Sequence, residues 1–136
     1  FSQTMVNAAR RRCTDAVRAG RVDLRLGDAA RLPFADNTFD KAFSIHSIYF
    51  WKEPTRALQE IHRVLKTGGM VIFTILPRAR WNEHDPNAPV GTPDCRAYSG
   101  EELSTLLLGV GFVQPHITAD SQRQYRSNYS VIARKA

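Results

Sequence analysis

The chain has 136 residues, 43% of them hydrophobic and 24% charged, proportions typical of one globular domain. Its apolar runs are too short to cross a membrane as a helix, which argues against a membrane-spanning protein. The 19 Lys and Arg residues outnumber the 13 Asp and Glu residues and give a formal net charge of +6, a balance that suits acidic ligands or nucleic acid.

The cysteines and the first residues bear on where the protein works. Cys13 and Cys95 stand far apart and match no metal-ligand spacing, so we expect reduced thiols, a cytoplasmic location and no bound metal. The chain opens on Phe1 and reaches the arginine run at 10–12 without an apolar signal segment, so no secretory leader is expected. We interpret the arginine run as a solvated helix face. Because the aromatic residues are not interleaved with the arginines, a nucleic-acid partner is not expected.

In chain order, the first predicted elements are a helix and a strand. Ser2 is a good N-cap and Gly20 a suitable helix stop. Between them, apolar residues recur at helical spacing, at Met5, Ala9, Cys13 and Val17. The alternation of apolar and polar residues at 22–26 then predicts a strand with one solvated face. Residues 29–39 are expected to form a loop or a short helix.

The middle of the chain predicts a strand, a helix and a second strand. Residues 41–48 are apolar, and the strand is expected to end near Ser44 or Ile45. Pro54 opens a helix with one apolar face, which Gly68-Gly69 ends. The almost unbroken apolar run at 70–76 is typical of a parallel strand buried on both faces.

The last third predicts a long loop, a helix and two strands. Residues 77–98 hold four of the seven prolines, which makes them a candidate substrate loop or lid. Ser99 and Glu102 form a capping box, and strands at 112–119 and 129–134 make a terminal antiparallel pair. The alternation of helices and strands over residues 1–136 predicts one α/β domain with a mostly parallel sheet.

A lone carboxylate, Asp28, follows the predicted strand at 22–26. In open α/β sheets, ligands bind outside the carboxyl ends of the strands. The Asp28 carboxylate and the next main-chain N–H together offer an acceptor and a donor, which suits the edge of adenine. The alternative is that Asp28 caps a short helix starting at Ala29. Spacing alone slightly favours the cap.

Read as a block, residues 22–76 resemble the class I S-adenosylmethionine-dependent methyltransferases, in the small-molecule branch related to quinone biosynthesis. The final matching stretch usually reads Arg-Val-Leu-Lys-Pro-Gly-Gly, and Thr67 replaces the proline here. The matching stretches are Gly27-Asp28-Ala29, Leu32-Pro33-Phe34, Asp36-Asn37-Thr38-Phe39-Asp40 and Glu60-Ile61-His62-Arg63-Val64-Leu65-Lys66-Thr67-Gly68-Gly69.

The resemblance implies the C-terminal portion of a Rossmann-like sheet, S-adenosylmethionine as cofactor and methyl transfer to a small molecule by direct displacement. Asp28 would hold the adenine amino group, and Ala29 would offer its N–H. The other cofactor contacts it implies are Phe1 and Met5 near the adenosine, and Ser44 and His46 near the methionine part.

The resemblance names no catalytic residue, since the reactive methyl belongs to the cofactor. Candidate substrate walls are Tyr49, Trp51 and Trp81, each with packing as the alternative role. Candidate bases are His46, Tyr49 and His84. For His46, packing against the cofactor or in the core is an equally good interpretation. His84, between two carboxylates, is interpreted as a solvated loop residue.

The chain departs from the family pattern because no glycine-rich loop is present. In that fold, the first two strands lie between the strands at 22–26 and 41–45. The sequence from Phe1 onward does not contain these two strands, which leaves a gap of roughly 14 Å in the predicted sheet. We therefore expect the sheet to need residues upstream of Phe1 or a second chain, as in a strand-swapped homodimer. Direct pairing of 22–26 with 41–45 would refute this. The alternative function is a non-catalytic interaction module that binds no cofactor.

Overall fold

A computed structural model describes residues 2–76, 95–119 and 128–136 of the chain. Short helices and four strands follow one another along the chain, one strand fewer than the sequence predicts. The helices are α1 (Gln3–Arg12), α2 (Thr14–Arg18), a 3₁₀ turn (Ile48–Phe50), α3 (Pro54–Val64) and α4 (Gly100–Gly109). The strands are β1 (Phe39–Ile45), β2 (Leu65–Ile75), β3 (Phe112–Ala119) and β4 (Tyr129–Lys135). No helix in the described ranges is long and apolar enough to cross a membrane.

The four strands form one sheet in the order β1-β2-β4-β3. β1 and β2 are parallel, whereas β4 is antiparallel to both β2 and β3. Three strands therefore run in one direction and β4 runs against them. This confirms the predicted α/β fold, with a mostly parallel sheet and a terminal antiparallel pair.

One face of the sheet carries the core. Side chains at alternate positions of β2 are fully buried at Val71, Phe73 and Ile75, as the period of a strand requires. Helix α3 covers β2, while α4 covers β3 and β4. The buried residues of these helices recur at helical spacing, at Ala57, Leu58, Ile61, Val64, Leu103 and Leu107.

Two predicted caps are confirmed. The Met5 N–H donates to Ser2 Oγ at 3.3 Å at the start of α1. At the start of α4, the Ser99 N–H donates to Glu102 Oε2 at 2.8 Å and the Glu102 N–H donates to Ser99 Oγ at 3.1 Å. Each bond satisfies a main-chain N–H group at the start of a helix that has no partner within the helix.

Three predicted boundaries are wrong. Residues 22–27 have no strand partner within the described ranges, so they form no strand there. The first helix divides at Cys13, whose φ of −108° and ψ of 25° interrupt the helical geometry. Helix α3 ends at Val64 rather than at Gly68-Gly69, because Leu65 is already extended and pairs with Phe39.

The glycine pair sits instead inside a bulge of β2. Register with β1 shifts between the Phe39–Leu65 and Lys41–Met70 pairs. Gly68 has a φ of +76°, and a Cβ on Gly69 would lie 2.7 Å from the Lys66 carbonyl oxygen. Both positions therefore require glycine, the first for its backbone angle and the second for space.

The outer edge of β1 has no partner in the described part of the chain. The His46 N–H donates to the Thr74 carbonyl at 3.0 Å, and bonding residues alternate along a parallel strand. The main-chain groups of Phe43 and Ile45 therefore point away from β2, and their side chains are 76% and 58% exposed. The pairing of 22–26 with 41–45 that would refute an incomplete sheet is not present in the described ranges.

This edge predicts self-association of the chain through β1, because a flat apolar edge is a template for another strand. We expect Phe43→Lys to reduce the dimeric fraction in analytical ultracentrifugation, since a charge on the edge opposes pairing. Leu108→Lys replaces an apolar side chain of 53% exposure on α4 and is the matched control. A wild-type chain that stays monomeric at every concentration contradicts the prediction.

A second feature, the Arg63 guanidinium, ties the segment at 32–36 to α3. It donates to the Phe34 carbonyl at 2.8 Å, to the Leu32 carbonyl at 3.1 Å and to Asp36 Oδ1 at 2.6 Å. Glu60 completes the arrangement, because its carboxylate accepts from Arg63 Nε at 2.8 Å and from the Leu32 N–H at 2.9 Å. These charge-assisted bonds position the segment that follows Asp28.

The hydrogen bonds from Arg63 lower the pKa of Glu60 from 4.5 to about 2. A pKa that is lower in the folded state adds stability above the unfolded value, and this stability is lost as pH falls toward 2. We expect Glu60→Gln to lower the free energy of unfolding at neutral pH and to flatten its decline between the two pKa values. Urea titrations at stepped pH measure both effects.

Glu53→Gln is the matched control, because Glu53 precedes the same helix but its side chain is 61% exposed and lies 3.8 Å from Arg56. It should leave the pH dependence unchanged. If Glu60→Gln and Glu53→Gln behave alike, the Arg63 arrangement does not stabilise the fold as described.

Candidate functional site

A cleft of about 510 Å³ lies between the turn at 27–30 and the segment at 47–53. The first wall follows residues 22–27 in the chain, and the second follows the carboxyl end of β1. Its lining residues are Gly27, Asp28, Ala29, Ala30, Ser47, Phe50, Trp51, Lys52, Glu53 and Ala57. A cleft of this size is in the usual range for small-molecule sites.

Asp28 shapes the first wall by closing a turn on itself. Its carbonyl accepts from the Arg31 N–H at 3.0 Å, and its Oδ1 accepts from the Ala30 N–H at 2.9 Å. No helix starts at Ala29, so the interpretation of Asp28 as a helix cap is wrong. Its carboxylate caps a turn instead. Oδ2 and the Ala29 N–H have no hydrogen-bond partner among the described residues, which leaves an acceptor beside a donor.

The second wall carries aromatic side chains and packs against β2. Ile48 and Tyr49 of the 3₁₀ turn are buried, whereas Phe50 is 59% exposed. Trp51 is half-buried and meets Phe73 of β2 edge-to-face, with ring centroids 5.9 Å apart. Lys52 and Glu53 extend this wall with one charge of each sign. The cleft thus combines ring surfaces with polar groups, as a planar heterocycle requires.

At the end of β1, a group of hydrogen bonds joins the two parallel strands. Ser44 Oγ and Ser47 Oγ lie 2.6 Å apart, and the Tyr49 hydroxyl lies 3.2 Å from His46 Nδ1. The Leu76 N–H, at the end of β2, also donates to the Tyr49 hydroxyl. Burial raises the pKa of Tyr49 to about 12, so the phenol keeps its proton at neutral pH.

The structure brings some of the predicted site residues together. Asp28, Ala29 and Trp51 line the same cleft. Ser44 lines an adjoining groove of about 450 Å³, which shares Ala29, Ser47 and Trp51 with the cleft. His46 is exposed directly after β1.

Other predicted site residues lie elsewhere. Met5 is 67% exposed on α1, a helix with no buried residue, and it lines neither cavity. Tyr49 is only 3% exposed, which leaves almost no surface for a substrate wall. Phe1, Trp81 and His84 lie outside the described residues, as does most of the predicted loop at 77–98.

The sequence reasoning missed several residues of the cleft, among them Ala30, Ser47, Lys52 and Glu53. Ala30 follows Asp28 in the turn, and the other three follow the end of β1. Their position after a strand end was the available signal, since ligands bind at that edge. None has a chemical pattern that would single it out in the sequence.

The chain was compared with known proteins. The sequence profile of the family described as "Methyltransferase domain" matches residues 1–73. An O-methyltransferase, resE of Aspergillus sclerotiorum, is 33% identical over 121 residues, covering 82% of this chain and 43% of that protein. The ubiquinone/menaquinone biosynthesis C-methyltransferase UbiE of Roseobacter denitrificans is 39% identical over 83 residues, covering 57% of this chain and 32% of that protein.

A solved structure adds similarity in three dimensions. It is described as a SAM-dependent methyltransferase, possible histamine N-methyltransferase, from Thermotoga maritima, and it superposes with a TM-score of 0.71 at 27% identity. The match covers 92% of this chain and 70% of that one. The chain therefore spans less than half the length of the two curated relatives, and most of the length of this solved structure.

Proposed function

The chain belongs to the class I S-adenosylmethionine-dependent methyltransferases, and from this premise we propose that it transfers a methyl group from S-adenosylmethionine to a small-molecule acceptor. One observation carries the proposal. Asp28 and Ala29 line a cleft together with Trp51, at the edge of the sheet where β1 ends. The acceptor–donor pair and the ring surface needed for adenine thus occur in one place.

The residues present fit an adenosine-containing cofactor. Oδ2 of Asp28 is suited to accept from the exocyclic amino group, and the Ala29 N–H is suited to donate to the adjacent ring nitrogen. Because Oδ1 is held by the Ala30 N–H at 2.9 Å, the carboxylate needs little further ordering on binding. Trp51 and Phe50 supply ring surface on which a planar base can pack.

Asp28, Ala29 and Trp51 would hold the adenosine part of S-adenosylmethionine, which would supply an activated methyl group. The chain's own task is alignment, because an in-line displacement requires the acceptor and the methyl group in one geometry. Ser44 and Ser47, at the carboxyl end of β1, line the groove that adjoins the cleft and are the candidates for this role. Their hydroxyls hold each other at 2.6 Å, which limits their rotation.

A second candidate function is the interaction module that binds no cofactor. One observation favours it: the outer edge of β1 is without a partner in the described ranges, as a surface for another chain would be. The two candidates differ in one measurable property. Only the enzyme should bind S-adenosylhomocysteine, and binding to the native state must raise the melting temperature.

We expect the wild-type protein to bind S-adenosylhomocysteine in isothermal titration calorimetry and Asp28→Ala to bind it roughly ten- to hundredfold more weakly. The loss corresponds to about 1.5–3 kcal/mol for a hydrogen bond to a charged group. Asp28→Asn keeps an oxygen for the Ala30 N–H and removes the charge. It should therefore keep the wild-type melting temperature while losing affinity.

Asp23→Asn is the matched control, because Asp23 is an exposed carboxylate of the same segment that pairs with Arg25 at 2.8 Å. It should leave affinity unchanged. Absence of binding by the wild-type protein at saturating ligand would favour the interaction module. If Asp28→Ala lowers the melting temperature but not the affinity, Asp28 serves only the turn.

A further inference from the structure

His62 lies where α3 meets the start of β3. Its imidazole packs edge-to-face on the ring of Phe112, with ring centroids 4.9 Å apart and an angle of 86° between the planes. Phe112 is 1% exposed and belongs to the core, whereas His62 is half-buried in the last turn of α3. A titratable ring is therefore part of the packing between a helix and the sheet.

The main chain at Gly111 approaches the same imidazole. Gly111 directly precedes β3 and has a φ of +100°, a conformation that favours glycine. A Cβ at this position would lie 3.3 Å from His62 Nε2, which is closer than the usual separation of non-bonded atoms. The close approach depends on glycine, and it places the Gly111 main chain beside the edge of the imidazole.

A lysine from β4 is held near the same turn of α3. Lys135 Nζ donates to the Leu65 carbonyl at 2.8 Å and to Asn37 Oδ1 at 2.9 Å. Leu65 is the C-cap residue of α3, so the first bond attaches the end of β4 to the end of the helix. Because two hydrogen bonds fix its ammonium group, Lys135 cannot move away from a new charge without losing them.

The surroundings of His62 favour its neutral form. Burial and then the charge of Lys135 lower the pKa of His62 from 6.5, whereas a hydrogen bond with the Gly111 main chain acts in the opposite direction. Gly111 and Phe112 bring no charge to the ring from β3. Ion pairs at the end of α3 and the start of β2 engage other residues, Glu60 with Arg63 and Lys66 with Asp40. Among the described residues, Lys135 is thus the charged group that acts on the imidazole from the sheet.

We propose that His62, Phe112 and Lys135 form a pH-sensitive contact that holds the β3–β4 pair on α3. The contact is stable while the imidazole is neutral and weakens when the imidazole gains a proton. Protonation places a second positive charge near the fixed ammonium group of Lys135, and it places that charge in a partly desolvated position. Both effects oppose the packing of His62 on Phe112, so acidification loosens the attachment of the strand pair.

The pH dependence has a defined direction. Because the pKa of His62 is lower in the folded protein than the usual 6.5, the unfolded chain takes up the proton first as pH falls. The stability from the neutral ring is complete above 6.5 and is lost as pH falls through the lower value of the folded protein. This range begins above that of Glu60, whose pKa is 4.5 in the unfolded chain and about 2 in the folded one.

The titration of His62 is measured by NMR, from the pH dependence of its imidazole Cε1–H resonance in the folded protein. We expect a midpoint below 6.5 in the wild-type protein and a higher midpoint in Lys135→Met, which removes the charge and keeps an unbranched side chain. Lys135→Arg keeps the charge and should keep the wild-type midpoint. Lys41→Met, at an exposed lysine of β1, should also leave the midpoint unchanged. A wild-type midpoint at or above 6.5, or one that Lys135→Met does not raise, overturns the proposal.

Salt gives the same test without a substitution if Lys135→Met does not fold, because screening weakens the repulsion between two positive charges. Raising NaCl from about 0.01 M to about 1 M should raise the midpoint of His62 by more than that of His116, which is exposed on β3. An equal change at both histidines overturns the role of Lys135.

The effect on the fold is measured by urea titrations between about pH 7 and about pH 5. The free energy of unfolding should fall with pH in the wild-type protein and fall less in His62→Gln, whose amide takes up no proton. His116→Gln should decline as the wild-type protein does. Hydrogen-exchange protection of the β3 and β4 amides should fall over the same range, again less in His62→Gln. Equal declines for the wild-type protein and His62→Gln overturn the proposal.

Discussion

The parallel pairing of β1 with β2 is the constraint on which the candidate site depends. Register from Lys41–Met70 to Ile45–Thr74 brings the two strand ends side by side. The chain then leaves β1 through a residue with a φ of +50° and enters the 3₁₀ turn. Without this pairing, the segment at 47–53 would have no fixed position relative to the rest of the cleft.

The other wall of the cleft is held by charge rather than by strand pairing. Residues 22–27 have no strand partner in the described ranges, so the turn at Asp28 is held in place through residues 32–36. Leu32, Phe34 and Asp36 are bound to α3 through Glu60 and Arg63. Because α3 also packs on β2, one helix relates both walls to the same sheet.

Asp28 and Tyr49 each accept a main-chain hydrogen bond that restrains the polar side chain. Asp28 accepts from the Ala30 N–H, two residues on, and Tyr49 accepts from the Leu76 N–H, at the end of a different strand. A group restrained in this way loses less conformational freedom on binding a ligand.

Several elements were predictable because their causes lie within a few neighbouring residues. The Ser99–Glu102 box and the Pro54 helix start are examples, since a cap or an N1 proline acts within one helical turn. The apolar run that became the buried part of β2 is another, because its burial on the sheet follows from composition. The place of Asp28 at a cleft was likewise predictable from its position after an alternating segment.

By itself, the sequence determined the α/β class, the helix caps and the position of Asp28, because each depends on local spacing and residue type. The tertiary structure decided whether 22–26 is a strand, where α3 ends and what Tyr49 contacts. A strand exists only when a partner strand accepts its hydrogen bonds, and residues 22–27 have none in the described ranges. The end of α3 depends on the pairing of Leu65 with Phe39, and the Tyr49 hydroxyl meets Leu76, which is 27 residues away. Contacts between distant residues of this kind leave no local signal in the sequence.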